Sequence, residues 1–420
     1  AFIGVGVFSG MCNLLMLTGA FFMLQVYDRI LPSRSVPTLV ALAILVAGLF
    51  AAFALLDMIR RRVLLRIAAS LDEAISGRVY DTIVRLPLKA ANRGDGLQPL
   101  RDFDAIRTFL SGQGPTALFD LPWIPVYIGI ISLLHPMLGV AALIGAIVLI
   151  ALTLATEVLT RRPTAEASNF ATERNSLAEA SRRNAEVLAA MGMADRVGAK
   201  WASANQSYIS SNRQMNDVAI DFGSTSRALR LFLQSAVLGL GAYYVIQGEA
   251  TAGIIIAGAI LVARALAPVD LAIANWKSFV AARQGWRRLN KLLKALPPQT
   301  LPMQLPAPRT VLRVENASVV PPGEKKLVVH DVSFEMKSGH GLGIIGPSGS
   351  GKSSLVRTMV GVWQPARGRI RLDGTDLSQW APAALGRHIG YLPQDVELFA
   401  GSVAENIARF EPGADPEAII

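Results

Sequence analysis

The chain has 420 residues, 52% of them hydrophobic and only 17% charged, and its 41 Lys and Arg outnumber its 31 Asp and Glu for a formal net charge of +10. A soluble domain carries roughly 25% charged residues, so a mean hydropathy of +0.40 with so little charge excludes a wholly soluble protein, and equally a disordered or collagen-like one. The single cysteine, Cys12, excludes an internal disulfide framework.

The apolar residues fall into six segments that approach the roughly 18–25 residues of a transmembrane helix. They cover about residues 1–26, 36–56, 117–134, 138–154, 231–246 and 252–266. The last two are short, and reach spanning length if Arg227, Arg230 and Arg264 snorkel to an interface. The third carries Asp120, Pro122 and Pro125. A mid-membrane Asp costs roughly 2.5–3.5 kcal/mol, so Asp120, near the segment's start, reads as an interfacial helix cap. Proline is tolerated in a first turn, where the N–H groups lack partners. Trp123 and Tyr127 suit an interface.

The connections alternate in charge. Residues 27–35, 135–136 and 248–249 together hold two basic residues, Arg29 and Arg34. Residues 58–115 hold ten, including Arg60, Arg61, Arg62, Arg66 and Arg93; residues 159–222 hold eight. The positive-inside rule places these two long connections in the cytoplasm. Residues 58–86 and 165–190 are rich in Ala, Leu, Arg and Glu, and read as membrane helices continuing into the cytoplasm. A 25-residue stretch of this kind reaches roughly 38 Å. Arg60, Arg61 and Arg62 read as an interface anchor. Because the basic excess follows membrane topology, no nucleic-acid partner is expected. The first segment lacks the basic start of a secretory signal, and the chain is expected to begin inside a longer protein.

Composition changes near Leu296. The expected organisation is a membrane domain over residues 1–296 with long cytoplasmic helical extensions, a Pro-rich linker over 297–308, and the first portion of a nucleotide-binding domain over 309–420. Residues 311–317, 328–336 and 341–345 read as strands. The last runs into Gly346-Pro347-Ser348-Gly349-Ser350-Gly351-Lys352-Ser353, a G-x-x-x-x-G-K-[ST] phosphate loop. Helix follows from Ser354 to Met359. Glycines let this backbone turn its N–H groups onto phosphate oxygens, and a helix N-terminus favours anions. Lys352 is positioned to reach the β- and γ-phosphates and Ser353 to ligate Mg²⁺. Some nucleoside monophosphate kinases share such a loop, but six upstream spans argue against them. His135, His330, His340 and His388 show no metal-ligand spacing, and no Ser/His/Asp triad can be assembled.

These residues resemble an ABC exporter half-transporter, with the loop as its Walker A. Ile389-Gly390-Tyr391-Leu392-Pro393-Gln394-Asp395, with Gln394 placed 42 residues after Lys352, resembles the family's Q-loop. Residues 398–407 resemble the segment that follows it. In the membrane half, residues 13–19, 22–29 and 31–35 resemble the type I secretion permease/ATPase family, on the branch exporting repeat-rich proteases and similar proteins. So do Leu118-Phe119-Asp120-Leu121-Pro122-Trp123 and Ala265-Leu266-Ala267-Pro268-Val269-Asp270.

The resemblance implies an α-helical six-span ABC exporter domain followed by an incomplete α/β P-loop nucleotide-binding domain. ATP would be held by Gly346, Pro347, Ser348, Gly349, Ser350, Gly351, Lys352, Ser353, Ser354 and Gln394, with Mg²⁺ on Ser353 and Gln394. It implies a homodimer in the bacterial inner membrane, nucleotide domains in the cytoplasm. Its partners would be a periplasmic membrane-fusion adaptor, an outer-membrane channel and an unfolded secreted protein with a C-terminal signal. Helical tips around 101–109 and 191–201 would press on the nucleotide domains.

Two features depart from the family pattern. Pro321 stands where an aromatic residue usually stacks on adenine. No signature, acidic Walker B pair or switch His follows Gln394 within the 420 residues. The catalytic glutamate is therefore unknown, and the chain by itself is expected to be a fragment without turnover. Two other functions stay open: an ABC exporter of lipid, drug or small peptide, and a membrane protein that binds nucleotide without hydrolysis.

Overall fold

A computed structural model of the chain describes residues 2–89, 96–297, 305–394 and 396–420. Arg93, Asp395 and linker residues 298–304 lie outside the described residues. Two compact units emerge, Ala1–Pro87 with Asn92–Pro298, and Leu88–Ala91 with Gln299–Ile420.

The first unit is helical throughout. Its helices are α1 (Phe2–Met16), α2 (Thr18–Gln25), α3 (Leu31–Ser33), α4 (Val36–Lys89), α5 (Gln98–Ser111), α6 (Gly114–Asp120), α7 (Ile124–Leu134), α8 (Pro136–Arg183), α9 (Ala185–Ala190), α10 (Ala194–Ile246), α11 (Ala252–Ala274) and α12 (Trp276–Ala295). A single π-helical turn, Val26–Ile30, joins α2 to α3. Six stretches are long and apolar enough to cross a membrane: Phe2–Ser33, Val36–Lys89, Gly114–Leu134, Pro136–Arg183, Ala194–Ile246 and Ala252–Ala274.

The expected cytoplasmic continuations are present. Helix α4 runs unbroken for 54 residues, α8 for 48 and α10 for 53. Strong helix formers fill them, and the interior prolines are Pro87, near an end, and Pro163. The second expected extension breaks at Asn184, then resumes as α9.

Helix α11 is the hub of this unit. Over half of its apolar window, 56%, is buried, against none of the corresponding window of α4. Small residues explain the difference. Gly253, Ala257, Gly258, Ala259 and Ala265 are buried along α11 and let neighbours approach closely, which matters in lipid because packing, not water exclusion, joins helices there. Tyr127, Ile131, Leu138, Leu149, Val237, Leu261 and Leu266 close the core around it. On α8, a Cβ at Gly145 would lie 2.6 Å from the end of the Leu233 side chain, so glycine lets α10 pack closely there.

Two expectations are corrected. Asp120 is not an interfacial cap and Arg60 is not an interface anchor: both are buried in the bundle and bonded to each other. Arg61 and Arg62, next along α4, are the exposed members of the run. Residues 101–109 lie in α5, whose Asp102, Phe103 and Ile106 are buried; Phe103 and Ile106 cluster with Ala282 and Leu289 of α12.

The second unit opens with an antiparallel sheet: β1 (Val311–Val319), β2 (Val329–Lys337), β3 (Arg367–Leu372) and β4 (Thr375–Asp376), in the order β2-β1-β3-β4. Val314 pairs Phe334 on one side and Ile370 on the other. Val314, Ala317, Ile370, Leu377, Trp380 and Leu385 form its core; full burial of a Val or Ile contributes roughly 1.5–3 kcal/mol. The helices here are α13 (Lys352–Met359), α14 (Pro382–His388), α15 (Val403–Ile407) and α16 (Pro416–Ile419). The expected strand over 341–345 is not formed. Strands of parallel sheets are stabilised by neighbours on both sides; among the described residues nothing pairs with 341–345, and Ile345 is 94% exposed.

Candidate functional site

The phosphate-loop residues lie directly before α13, with Gly351 as its N-cap. Three glycines hold backbone that a side chain would strain: Gly346 (φ 155), Gly349 (φ 81) and Gly351 (φ 90). At Gly351 space is also closed, since a Cβ would sit 2.7 Å from the Val328 carbonyl. The loop is thereby braced on the residue that leads into β2. Lys352 curls back, its Nζ donating to the carbonyls of Gly346 and Pro347, each at 2.8 Å. This holds the ammonium over the loop, where a phosphate would meet it. Ser353 is exposed at the first turn of α13, beside N–H groups that lack intrahelical partners. Ser354 turns its carbonyl to Thr358 Oγ1, which locks the next helical turn.

The residues fit a nucleoside triphosphate. The loop offers a cation, a hydroxyl and a helix N-terminus side by side, the chemistry that binds phosphate.

Gln394 lies in an exposed, irregular segment after α14. Among the described residues no hydrogen bond joins it to the loop. Its segment is fastened from behind, where Arg409 donates to the carbonyls of Gly386 and Ile389. Pro321 begins the turn between β1 and β2, closed by Glu324 N–H to Pro321 O at 3.0 Å. Residues 402–407 form a capped helix: Ser402 Oγ accepts from Glu405 N–H and Glu405 Oε2 accepts from Ser402 N–H. Those bonds hold the Glu405 carboxyl below its usual range. Asp373 is fastened similarly. It accepts from the Thr310 hydroxyl and from the N–H groups of Arg309, Val311 and Thr310, which push its carboxyl well below the ordinary range.

Sequence reasoning did not foresee how the polar groups of the membrane half pair. Arg60 NH1 reaches Asp120 at 3.1 Å and Ser9 Oγ at 3.1 Å, while its NH2 reaches Asp57 at 2.6 Å. Asn13 Nδ2 donates to Asp120 at 2.7 Å, and the Tyr127 hydroxyl donates to the Asn13 carbonyl at 2.9 Å. Asp28 caps α11, accepting from Thr251 Oγ1 at 2.7 Å and Gly253 N–H at 2.9 Å. Asp102 receives both Arg288 nitrogens, at 2.9 and 2.6 Å, and this bonding raises the Arg288 pKa further. Asp270 pairs with Arg230 at 2.8 Å. Only Asp120 carried a signal, a charge inside an apolar segment, which is costly and so partnered.

Residues 2–268 match the ABC transporter transmembrane region family, and residues 329–419 match the ABC transporter family. The type I secretion system ATP-binding protein PrsD of Rhizobium meliloti (strain 1021) is 55% identical over 420 residues, covering 100% of this chain and 72% of PrsD. The leukotoxin translocation ATP-binding protein LktB of Mannheimia glucosida is 27% identical over 409 residues, covering 96% of this chain and 58% of LktB. The chain thus spans less than two thirds of LktB. A solved structure of a bacterial Atm1-family ABC exporter with ATP bound shares the fold, with TM-score 0.76 at 20% identity over 99% of this chain and 75% of that one. Six membrane-length helices, a phosphate loop and these relationships together place the chain in the ABC transporter family, on its type I secretion ATP-binding branch, as a multi-pass protein of the inner membrane.

Proposed function

We propose that the protein is the ATP-driven export subunit of a type I secretion system, moving an unfolded protein with a C-terminal signal across the inner membrane. The observation that carries this is the phosphate loop, braced against Val328 and capped by Lys352, on the same chain as six membrane-length helices. Gly346 to Ser354 bind and orient the phosphates of ATP; Ser353 and Gln394 hold Mg²⁺. When bound, ATP supplies the free energy for the transport cycle. The chain's own residues position it: Lys352 by charge, the α13 N-terminus by its dipole. The protein works as a homodimer, with a periplasmic adaptor and an outer-membrane channel as partners.

The test uses the full-length gene product in liposomes, with and without Lys352→Ala and Gln394→Ala. Mg²⁺-dependent ATP hydrolysis that Lys352→Ala abolishes and Gln394→Ala lowers supports the reading. In cells, deletion of the gene is expected to stop secretion of a protein carrying a C-terminal signal. Unchanged secretion, with loss of lipid or small-peptide export instead, overturns it.

A further inference from the structure

The first membrane span is held differently at its two ends. At the cytoplasmic end, Ser9 and Asn13 join a buried cluster around Arg60 and Asp120, with Arg60 only 3% exposed. Breaking such a cluster strands a charge away from water, which carries a large penalty. At the periplasmic end, the polar tie is Asp28. Its two carboxylate oxygens take the Thr251 hydroxyl and the Gly253 N–H, so the turn after α2 is fastened to the N-terminus of α11. Among the described residues no other hydrogen bond joins residues 26–35 to residues 247–253.

Three features mark this tie as built for its place. The π turn Val26–Ile30 carries an extra residue per turn and aims Asp28 at α11. Gly253 makes room, because a Cβ there would lie 2.6 Å from the Asp28 carboxylate. Asp28 and Thr251 are exposed, so water can take over the carboxylate and the hydroxyl as their bond breaks, at a small net cost; the Gly253 N–H is buried and meets water only once the two segments part. The hairpins themselves are covalently closed at this end, by residues 26–35, His135 and 247–251. Any periplasmic opening within the chain must therefore separate neighbouring hairpins, and between residues 26–35 and 247–253 the hydrogen bonds it must break are those of Asp28.

We propose that Asp28 is a positioning residue for export: a latch whose contact with Thr251 and Gly253 opens and recloses in each cycle at the periplasmic face. The proposal rests on the export reading above, since a latch needs a cycle.

The experiment uses the full-length protein in liposomes, carrying Cys12→Ser, Asp28→Cys and Gly253→Cys. The short Gly253–Asp28 approach brings the two Cβ atoms into disulfide range, about 3.5–4.5 Å. ATP hydrolysis is measured oxidised, then reduced with dithiothreitol. The latch requires that oxidation lower the rate about tenfold or more, as expected where a conformational step limits turnover, and that reduction restore it. Equal rates overturn the latch and leave the export reading standing. A Cys12→Ser parent without hydrolysis overturns the export reading, and the latch with it. Should the reduced double variant be inactive, spin labels at Tyr27→Cys and Glu249→Cys, with Asp28 intact, decide the matter. A separation that grows on trapping with ATP and vanadate supports the latch; an unchanged one overturns it.

Discussion

Arg60 on α4 and Asp120 at the end of α6 form a buried ion pair, with both Asp120 oxygens within 3.3 Å of Arg60 NH1. Asp57 adds a second carboxylate, and Asn13 a side-chain donor. The three membrane segments that meet here are thereby fixed to one another by charge and hydrogen bonding as well as by apolar packing, which is weakly directional.

Removing Arg60 strands Asp120, whereas removing Asp120 leaves Arg60 its bond to Asp57. Arg60→Met is therefore expected to destabilise the membrane half by about 3–5 kcal/mol, and Asp120→Leu by less. The double variant Arg60→Met with Asp120→Leu is expected to recover most of that loss. Thermal unfolding in detergent, read as a double-mutant cycle, checks both; additive losses would contradict the pairing.

The Asp102–Arg288 pair predicts an asymmetry. The Asp102 side chain is 3% exposed, whereas that of Arg288 is 43% exposed. Arg288→Ala leaves a buried carboxylate that still has the Gln98 amide as a donor, whereas Asp102→Ala leaves a cation that water can reach. Arg288→Ala is therefore expected to be the more damaging by about 1–3 kcal/mol. Equal effects in urea titrations of the full-length protein would refute the burial argument.

Asp373 sets an acid dependence on the second unit. Its folded pKa is depressed, so its contribution is fully present above the unfolded value of about 3.9 and is lost as pH falls through the folded value. Amide exchange at Arg309, Thr310 and Val311, whose N–H groups it holds, is expected to lose protection as pH drops below about 4. Asp373→Asn is expected to start less protected and to show a flatter profile when both proteins are compared at each pH.

Gly351→Ala tests the brace of the phosphate loop. The new Cβ meets the Val328 carbonyl at 2.7 Å, on backbone at φ 90. Strain of this kind costs about 1–3 kcal/mol. The variant is expected to lose binding of a fluorescent ATP analogue while the membrane half unfolds at its ordinary temperature. Gly349→Ala has open space around its Cβ and is expected to be the milder change.

Much of the architecture was legible in one dimension. Charge-free apolar runs separated by Arg-rich stretches yield the spans and their orientation, because lipid excludes charge wherever the chain has no partner for it. The phosphate loop was equally legible, since its chemistry is local: glycines, a lysine and a serine at fixed spacing. The long helices followed from an absence of breakers. The expected strand 341–345 failed because a strand is not a local object. Its hydrogen bonds belong to neighbours, and the described residues supply none.

By itself, then, the sequence determined what depends on near neighbours: which segments enter the membrane, where the helices run, and where the phosphate-loop motif lies. Only the tertiary structure decided which charges meet. Arg60 and Asp120 stand 60 residues apart, Asp28 and Gly253 stand 225 apart, and Asp102 and Arg288 stand 186 apart. Nothing in their local patterns distinguishes a buried partner from a solvated or interfacial charge. Burial makes the distinction, because a charge removed from water is stable only beside its complement.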